Sequence, residues 1–191
     1  MIIVDNVTTP PNVAYLENLM LDQPWFYLRN TAYNQFASDM KPYDPSWVTM
    51  IYNYDEIVNP IMMSAFQSVL IKVLYEQKLS MSKLIRVRAG LTTRTPYPIT
   101  HDPHVDWDNE HMTGLYYLND SDGDTIIYNE KRDQTLTETS YQWSKNKNFT
   151  VQKSITPKAD RFVIFDGATY HSSTSPTTTD YRIVINYNWL P

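Results

Sequence analysis

The 191-residue chain contains no cysteine, which excludes a disulfide framework, thiolate chemistry and a cysteine-based zinc site. Basic residues are also scarce, and the formal net charge is -5. Binding to phosphates along a nucleic acid needs clustered Lys and Arg, so we expect no nucleic-acid partner. No apolar run approaches the ~18 residues of a membrane span, and MIIVDNVTTPP lacks the basic start of a signal peptide. We therefore expect a cytoplasmic protein without a membrane partner.

Length and composition indicate one globular domain that is richer in strands than in helices. A chain of 191 residues can bury one proper core but is too short for two ordinary domains. Apolar residues make up 42% of the sequence, and the 15 Tyr and 6 Phe favour strands. We predict a single domain over 1-191.

Two helices are predicted in the first part of the chain. Pro10 and Pro11 precede apolar residues at helical spacing, which predicts the first helix. Asn59 and Pro60 have the residue types of an N-cap and a first helical position, and an apolar stripe follows to about residue 79. Between the helices, residues 30-54 are rich in Asn, Asp, Ser, Pro and Tyr, which predicts a loop or flap with short strands at most.

After Ser82 the sequence changes to short β-rich runs separated by turn residues. The six runs are LIRVRAGL, TGLYYLND, DTIIYNE, FTVQKSI, DRFVIFDG and YRIVINYNWL. Helices followed by strands predict a mainly β, α+β fold: a sandwich or jelly roll in 82-191, with the helices of 1-81 packed on one outer face. The polar residues 130-149 exceed a usual hairpin loop and are either disordered or part of a binding rim.

Three of the four histidines lie in the stretch THDPHVDWDNEH, which contains one His-x-Asp pair, His104 and Asp106. In an extended strand, residues i and i+2 point to the same side, so both could hold one metal ion. The pair alone is weak evidence, because such a spacing arises by chance. His101 and His111 lack a suitable carboxylate partner, and we expect both on the loop surface, with Trp107 and Asp108 at the entrance of any site.

A distant histidine strengthens the metal hypothesis. His171 follows the predicted strand DRFVIFDG at the start of a loop, and by itself it fits a solvated histidine equally well. Two His and one carboxylate form the facial triad, which leaves open positions on Fe(II) for substrate and oxygen. A His2Asp zinc hydrolase is a weaker alternative, with water as the fourth ligand.

Strict alternation in the last run places Arg182 on a polar face. If that face points inward, the guanidinium must meet an anion, and a carboxylate ligand would satisfy it bidentately. The alternative is an arginine in solvent on an edge strand. In GLYYLND, Tyr117 faces the same way as Leu115 and could donate a hydrogen bond to the same carboxylate, although a core tyrosine is the commoner role.

The order of these motifs along the chain resembles that of the prolyl-4-hydroxylase-like branch of Fe(II)- and 2-oxoglutarate-dependent oxygenases. The motifs are, in turn, His-x-Asp, YYLND, DRFVIFDG, a His and a final Arg. The resemblance covers about Leu84 to Leu190 and implies a double-stranded β-helix. PHVDWDN and RIVINYNWL are also similar to oxygenases carried by tailed phages, which would place the protein in a host cytoplasm. The sequence differs from the family pattern at two points. Gly123-Asp124 stands in place of a Gly-Gly pair, and the spacing from His171 to Arg182 is slightly wider than usual. Neither difference changes one of the expected metal ligands.

The resemblance implies a role for each of the five site residues. His104, Asp106 and His171 would hold Fe(II), while Arg182 and Tyr117 would bind the distal carboxylate of 2-oxoglutarate. Together with O2, these cofactors imply hydroxylation of a C–H bond with release of succinate and CO2.

The resemblance to prolyl hydroxylases suggests a prolyl residue in a protein or peptide as the substrate. A small molecule or nucleobase substrate remains a second hypothesis. A non-catalytic β-barrel module of a phage, with its histidines satisfied by hydrogen bonds, is a third.

Overall fold

A computed structural model of the protein describes residues 1-28, 46-133, 135, 144 and 147-191. Much of the expected flap at 30-54 and most of the middle of the segment 130-149 lie outside these residues. Within the described part of the chain, neither helix has the length and apolar character needed to cross a membrane.

Both predicted helices are confirmed, α1 at Pro10–Leu21 and α2 at Pro60–Gln77. Proline occupies the first position of each, where its missing N–H costs no hydrogen bond. The predicted cap of α2 is also confirmed, because Asn59 Oδ1 accepts a hydrogen bond from the Met62 amide at 3.1 Å. The helix ends at Lys78, which adopts the left-handed conformation with φ 55°.

The strands form two antiparallel sheets, so the predicted mainly β fold with two helices is confirmed. The large sheet has the order β1-β9-β6-β11-β5-β3-β2, and β4 pairs with β3 at one end. Its strands are β1 Ile2–Val4, β2 Phe26–Leu28, β3 Ser46–Asn53, β4 Glu56–Ile57, β5 Lys83–Thr93, β6 Met112–Tyr117, β9 Arg161–Asp166 and β11 Tyr181–Leu190. The small sheet has the order β10-β7-β8, from β7 Thr125–Lys131, β8 Val151–Ile155 and β10 Thr169–Ser173.

Alternation along the strands divides the core between two faces of the large sheet. Ile183, Ile185 and Tyr187 of β11 share one apolar cluster with buried side chains of α1 and α2. Tyr187 also donates a hydrogen bond to the Phe66 carbonyl at 3.0 Å. On the opposite face, Val184 belongs to a second cluster with residues of β7 and β8 of the small sheet. Polar residues on this second face therefore point into the space between the sheets.

Two strand assignments from the sequence were wrong. Residues 46-53 form an eight-residue strand, β3, and not merely short strands within a loop. The run SWVTMIYN is itself rich in strand-favouring Trp, Val, Thr, Ile and Tyr, a signal that the polar composition of 30-54 as a whole concealed, and β5 supplies its pairing partner. His171 lies within strand β10, whereas the sequence placed it in a loop. Both strands border the site described below.

Candidate functional site

A pair of backbone hydrogen bonds brings two of the expected ligands together. The amide of His104 donates to the carbonyl of His171 at 2.9 Å, and the His171 amide returns a bond of 2.9 Å. Asp106 lies in a bend and not in a strand, so period-two alternation does not explain its position. Nevertheless, one ligand atom from each of His104, Asp106 and His171 lies within 4.8 Å of the others. We call these three residues the His-Asp-His cluster.

Hydrogen bonds orient both imidazole rings. His104 Nδ1 lies 3.1 Å from the Asp102 carbonyl, and His171 Nδ1 lies 3.2 Å from the Thr169 carbonyl. A carbonyl can only accept, so each Nδ1 carries the proton. Each Nε2 then keeps the lone pair that a metal ion requires.

The protonation states of the cluster suit a divalent metal. Burial lowers the pKa of His104 to about 3 and also lowers the pKa of His171. Burial alone would raise the pKa of Asp106, but the neighbouring His171 and Arg86 outweigh it and hold that pKa well below its ordinary value. At neutral pH the cluster therefore presents two neutral imidazoles and one carboxylate, which is the form that binds metal.

Asp106 is held by a ring of donors that the sequence did not reveal. Arg86 pairs with its Oδ1 at 3.0 Å, and Asn186 Nδ2 reaches both carboxylate oxygens at 3.1 and 3.0 Å. Asn188 Nδ2 and Thr113 Oγ1 donate to Oδ2 at 3.1 and 3.3 Å. The carboxylate side chain is only 2% exposed, so these contacts fix its orientation. The polar alternation of the last strand was the available signal for the two asparagines.

Arg182 points inward, on the face expected from the alternation, and is 4% exposed. It donates to Thr125 Oγ1 at 2.7 Å, and its guanidinium carbon lies 5.4 Å from the centre of the Tyr117 ring. The Tyr117 hydroxyl donates to the same Thr125 oxygen at 2.8 Å. Among the described residues, Arg182 Nε has no hydrogen-bond partner and no carboxylate forms an ion pair with the guanidinium. An anion is therefore the missing partner.

One cavity connects Arg182 with the His-Asp-His cluster. It encloses about 560 Å³, including the part that opens to solvent. Its walls come from β3, β5, β6, β7, β10, β11 and the bridge at His104. Arg182, His104 and His171 all line this cavity, so a ligand held by the guanidinium would extend towards the two histidines of the cluster.

The two remaining histidines of the opening stretch are buried, which corrects the expectation that they lie on the loop surface. His101 and His111 are each 2% exposed. His101 Nδ1 lies 2.7 Å from Ser173 Oγ, and His111 Nδ1 lies 2.8 Å from the Asn109 carbonyl. His101 is therefore held against strand β10, and the His111 carbonyl accepts a hydrogen bond from the Gly167 amide at 2.9 Å. Neither belongs to the His-Asp-His cluster.

The two residues expected at the entrance lie in different places. Trp107 lines a separate pocket together with Asp106 and Arg86, and its ring contacts that of Tyr54 edge-on. Asp108 forms an ion pair of 3.1 Å with Arg132 and does not line that pocket.

The donor set fits a metal that accepts two nitrogen atoms and one oxygen and keeps further positions open. Fe(II) in an oxygenase has this coordination, and a hydrolytic zinc ion is the alternative. The Arg182 guanidinium with its buried Nε has no role in zinc hydrolysis but matches a dicarboxylate bound to the metal.

No protein-family model and no curated protein sequence matches the chain. Solved structures match it over nearly its whole length. One is a prolyl hydroxylase from Trichoplax adhaerens, solved in complex with a hypoxia inducible factor peptide fragment. The two structures align with a TM-score of 0.62 at 16% sequence identity, and the alignment covers 99% of this chain and 82% of the hydroxylase chain. A second is an oxidoreductase of the 2OG-Fe(II) oxygenase family from Burkholderia pseudomallei, with a TM-score of 0.66 at 12% sequence identity. The alignment covers 98% of this chain and 84% of the oxidoreductase chain.

A third match is HygX from Streptomyces hygroscopicus, solved with nickel, 2-oxoglutarate and hygromycin B. Its TM-score is 0.58 at 10% sequence identity, and the alignment covers 100% of this chain and 82% of the HygX chain. At these identities the likeness shows that the chain shares its fold with these enzymes.

Proposed function

We propose that the protein is an Fe(II)- and 2-oxoglutarate-dependent dioxygenase built as one double-stranded β-helix domain. In this proposal residues 82-191 form the jelly-roll core, and residues 1-81 form its helical support and flap. The observation that carries the proposal is the cavity that joins Arg182 to His104 and His171, the two histidines of the His-Asp-His cluster. The shared fold supports it.

Bound Fe(II) would supply oxidative chemistry in which O2 and 2-oxoglutarate convert a substrate C–H bond to C–OH, with release of succinate and CO2. His104 and His171 would bind the metal through Nε2, and Asp106 through one carboxylate oxygen. The donors around Asp106 would hold its carboxylate in a fixed orientation towards the metal.

The distal carboxylate of 2-oxoglutarate would bind Arg182. Its guanidinium is positioned by the hydrogen bond to Thr125 and by the Tyr117 ring, which leaves Nε available for a second contact. Tyr117 already donates its hydroxyl to Thr125. Tyr117 would therefore act mainly by orienting Thr125 and Arg182, and it could rotate its hydroxyl to the carboxylate when the ligand is present.

For the substrate, we propose first a prolyl residue in a protein or peptide. The structural likeness to a prolyl hydroxylase solved with a peptide supports this choice. A small molecule is the second candidate, supported by the likeness to HygX, which was solved with hygromycin B. The proposed relation to phage-encoded oxygenases and the cytoplasmic location remain predictions from the sequence.

The cofactor proposal is tested by mixing the protein with Fe(II) and 2-oxoglutarate without oxygen. A weak visible charge-transfer band is expected in the wild type and should be absent in His104→Ala. His111→Gln is the matched control and should keep the band, because His111 lies outside the His-Asp-His cluster. A wild-type protein that gives no band would overturn the proposal.

The substrate proposal needs a separate experiment. Host-lysate proteins are incubated with the loaded enzyme in air and analysed by mass spectrometry. Gain of one oxygen atom on proline is expected. Turnover of 2-oxoglutarate to succinate without any modified proline would favour the small-molecule candidate.

A further inference from the structure

The cavity extends across β5 to β3, away from Arg182. On the face of β5 that lines the cavity, Arg88 pairs with Met50 of β3 on one side and Asn186 of β11 on the other. Gly90 is paired with Val48 and with Val184 in the same way. We call the part of the cavity bounded by Ser46, Val48, Arg88 and Gly90 the β3 lobe. None of these four residues belongs to the His-Asp-His cluster.

Arg88 places a positive charge in this lobe, and no negatively charged side chain among the described residues pairs with it. Among the described residues its Nε has no hydrogen-bond acceptor, and no carboxylate forms an ion pair with the guanidinium. Burial lowers the pKa of Arg88 to about 10, so it remains a cation at neutral pH. The nearby carboxylate of Asp106 is already bound by Arg86 and by Asn186. The side chain of Arg88 is half-buried, but its Nε is buried without an acceptor, and an anion in the cavity would supply a partner for the guanidinium.

A second polar group in the lobe also lacks a partner. Ser46 is 3% exposed, and its Oγ has no hydrogen bond to any of the described residues. A hydroxyl can donate to the same anion that a guanidinium binds. Gly90 has no side chain that would fill the lobe. The space next to it is open, since a Cβ added there would contact only Val184 Cγ1, at 3.6 Å. The lobe therefore combines two unsatisfied donors with open space.

The proposed position of 2-oxoglutarate leaves the β3 lobe empty. In the strand pairing Arg182 lies opposite Thr92, whereas Arg88 lies opposite Asn186. The two arginines are therefore four residues apart along the ladder, ~13 Å at the usual rise of a strand. Arg88 is on the β3 side of the metal cluster, and Arg182 is towards β7. Arg86, Arg88, Arg182 and a divalent metal also carry more charge than Asp106 and one 2-oxoglutarate can neutralise.

We propose that the β3 lobe is an anion-binding subsite for the primary substrate. The substrate then carries a carboxylate or phosphate group close to the C–H bond that is oxidised. This inference rests on the proposed function and narrows its substrate class. A peptide would satisfy it with an acidic residue or a terminal carboxylate beside the modified proline, and a small molecule with its own acidic group.

The test uses the full chain loaded with nickel(II) and saturating 2-oxoglutarate, with acetate and methyl phosphate as anionic probes and acetamide as the neutral probe. Binding is followed by calorimetry and by the shift in melting temperature. We expect the anions, but not acetamide, to bind and to raise the melting temperature. Arg88→Met should weaken anion binding at least tenfold, whereas Arg94→Met, which alters an exposed arginine, should leave it unchanged. The anion that binds more tightly identifies the acidic group.

Affinity for 2-oxoglutarate is measured separately in each variant. A value within threefold of the wild type in Arg88→Met is expected. A tenfold loss there would assign Arg88 to the co-substrate and overturn the subsite, while absence of 2-oxoglutarate binding in the wild type would overturn the proposed function instead. Anion binding that is equal in wild type and Arg88→Met also overturns the subsite.

Ser46→Ala provides a second variant that is safe for folding, because the removed hydroxyl has no partner among the described residues. It should weaken binding of the better anion threefold to tenfold. An unchanged affinity in Ser46→Ala, in a case where Arg88→Met does not fold, would overturn the subsite.

Discussion

Asn186 donates its side-chain amide to both carboxylate oxygens of Asp106, at 3.1 and 3.0 Å. The contact joins the last strand of the large sheet to the bend that carries the carboxylate. It determines which way the oxygens of Asp106 face before any metal arrives.

Asn186→Ala should therefore weaken metal binding by roughly tenfold to a hundredfold, the usual cost of removing a group that orients a ligand. The measurement is a titration of the metal-free protein with Mn(II) or Fe(II) in the absence of oxygen. Asn129→Ala is the control, since Asn129 bonds to exposed Thr150 far from the site. An unchanged metal affinity in Asn186→Ala would show that Arg86 and Asn188 suffice to orient Asp106.

Arg182→Met should lower the affinity for 2-oxoglutarate by at least tenfold. The substitution removes charge-assisted hydrogen bonds, each of which contributes about 1.5–3 kcal/mol. Metal affinity should not change, because Arg182 does not contact the His-Asp-His cluster. Stability of the ligand-free protein should not fall either, because the variant no longer buries an unpaired cation. Equal 2-oxoglutarate affinities in both proteins would refute the assignment.

Tyr117→Phe keeps the ring beside Arg182 and removes only the hydroxyl that bonds to Thr125. We expect a loss of 2-oxoglutarate affinity of about threefold to tenfold, corresponding to one neutral hydrogen bond. Calorimetric titration of the nickel-loaded proteins measures it. A loss as large as that of Arg182→Met would mean that the phenol contacts the ligand directly.

The stability of the metal-free protein should fall as the pH is lowered from about 6.5. Burial lowers the pKa of His104 to about 3 in the folded protein, while an unfolded histidine titrates near ~6.5. Between these values the unfolded chain binds one proton more, so the free energy of unfolding decreases by up to about 1.4 kcal/mol per pH unit for this group. In His104→Asn the slope from urea unfolding at pH 4 to 6.5 should decrease by about one proton, and an identical slope would contradict the assignment.

Gly167→Ala should destabilise the protein by about 1–3 kcal/mol. A Cβ at this position would overlap the imidazole of His111, which is itself buried. Gly90→Ala is the control, because its nearest neighbour would be Val184 Cγ1 at an ordinary 3.6 Å. Thermal unfolding of both variants measures the difference, and equal melting temperatures would show that His111 moves aside without cost.

Local patterns predicted the helices and most strands, because caps and alternation act within a few residues. Alternation also placed Arg182 and Tyr117 on the inward face of their strands. The strand that holds His171 was missed because TYHSS is short and its strand state depends on pairing with β7. His104 and Asp106 lie close together, as the His-x-Asp pattern predicted, but strand alternation is not the reason, since Asp106 lies in a bend.

The arginines of β5 could not be assigned from sequence. In LIRVRAGL they look like the polar half of an ordinary alternating strand. Only the register of β5 against β11 places Arg86 beside Asn188 and Arg88 beside Asn186, next to the carboxylate. That register is decided by contacts between segments about a hundred residues apart, which a linear pattern does not contain.

The reciprocal backbone bonds between His104 and His171 hold the two residues together without any ion. If the His-Asp-His cluster binds a metal as proposed, loss of that metal should therefore not separate His104 from strand β10. A chelator should leave the protein folded and able to bind metal again. The fraction of protein with metal in the His-Asp-His cluster would then depend on the metal concentration around the protein, and not on whether metal was present while the chain folded.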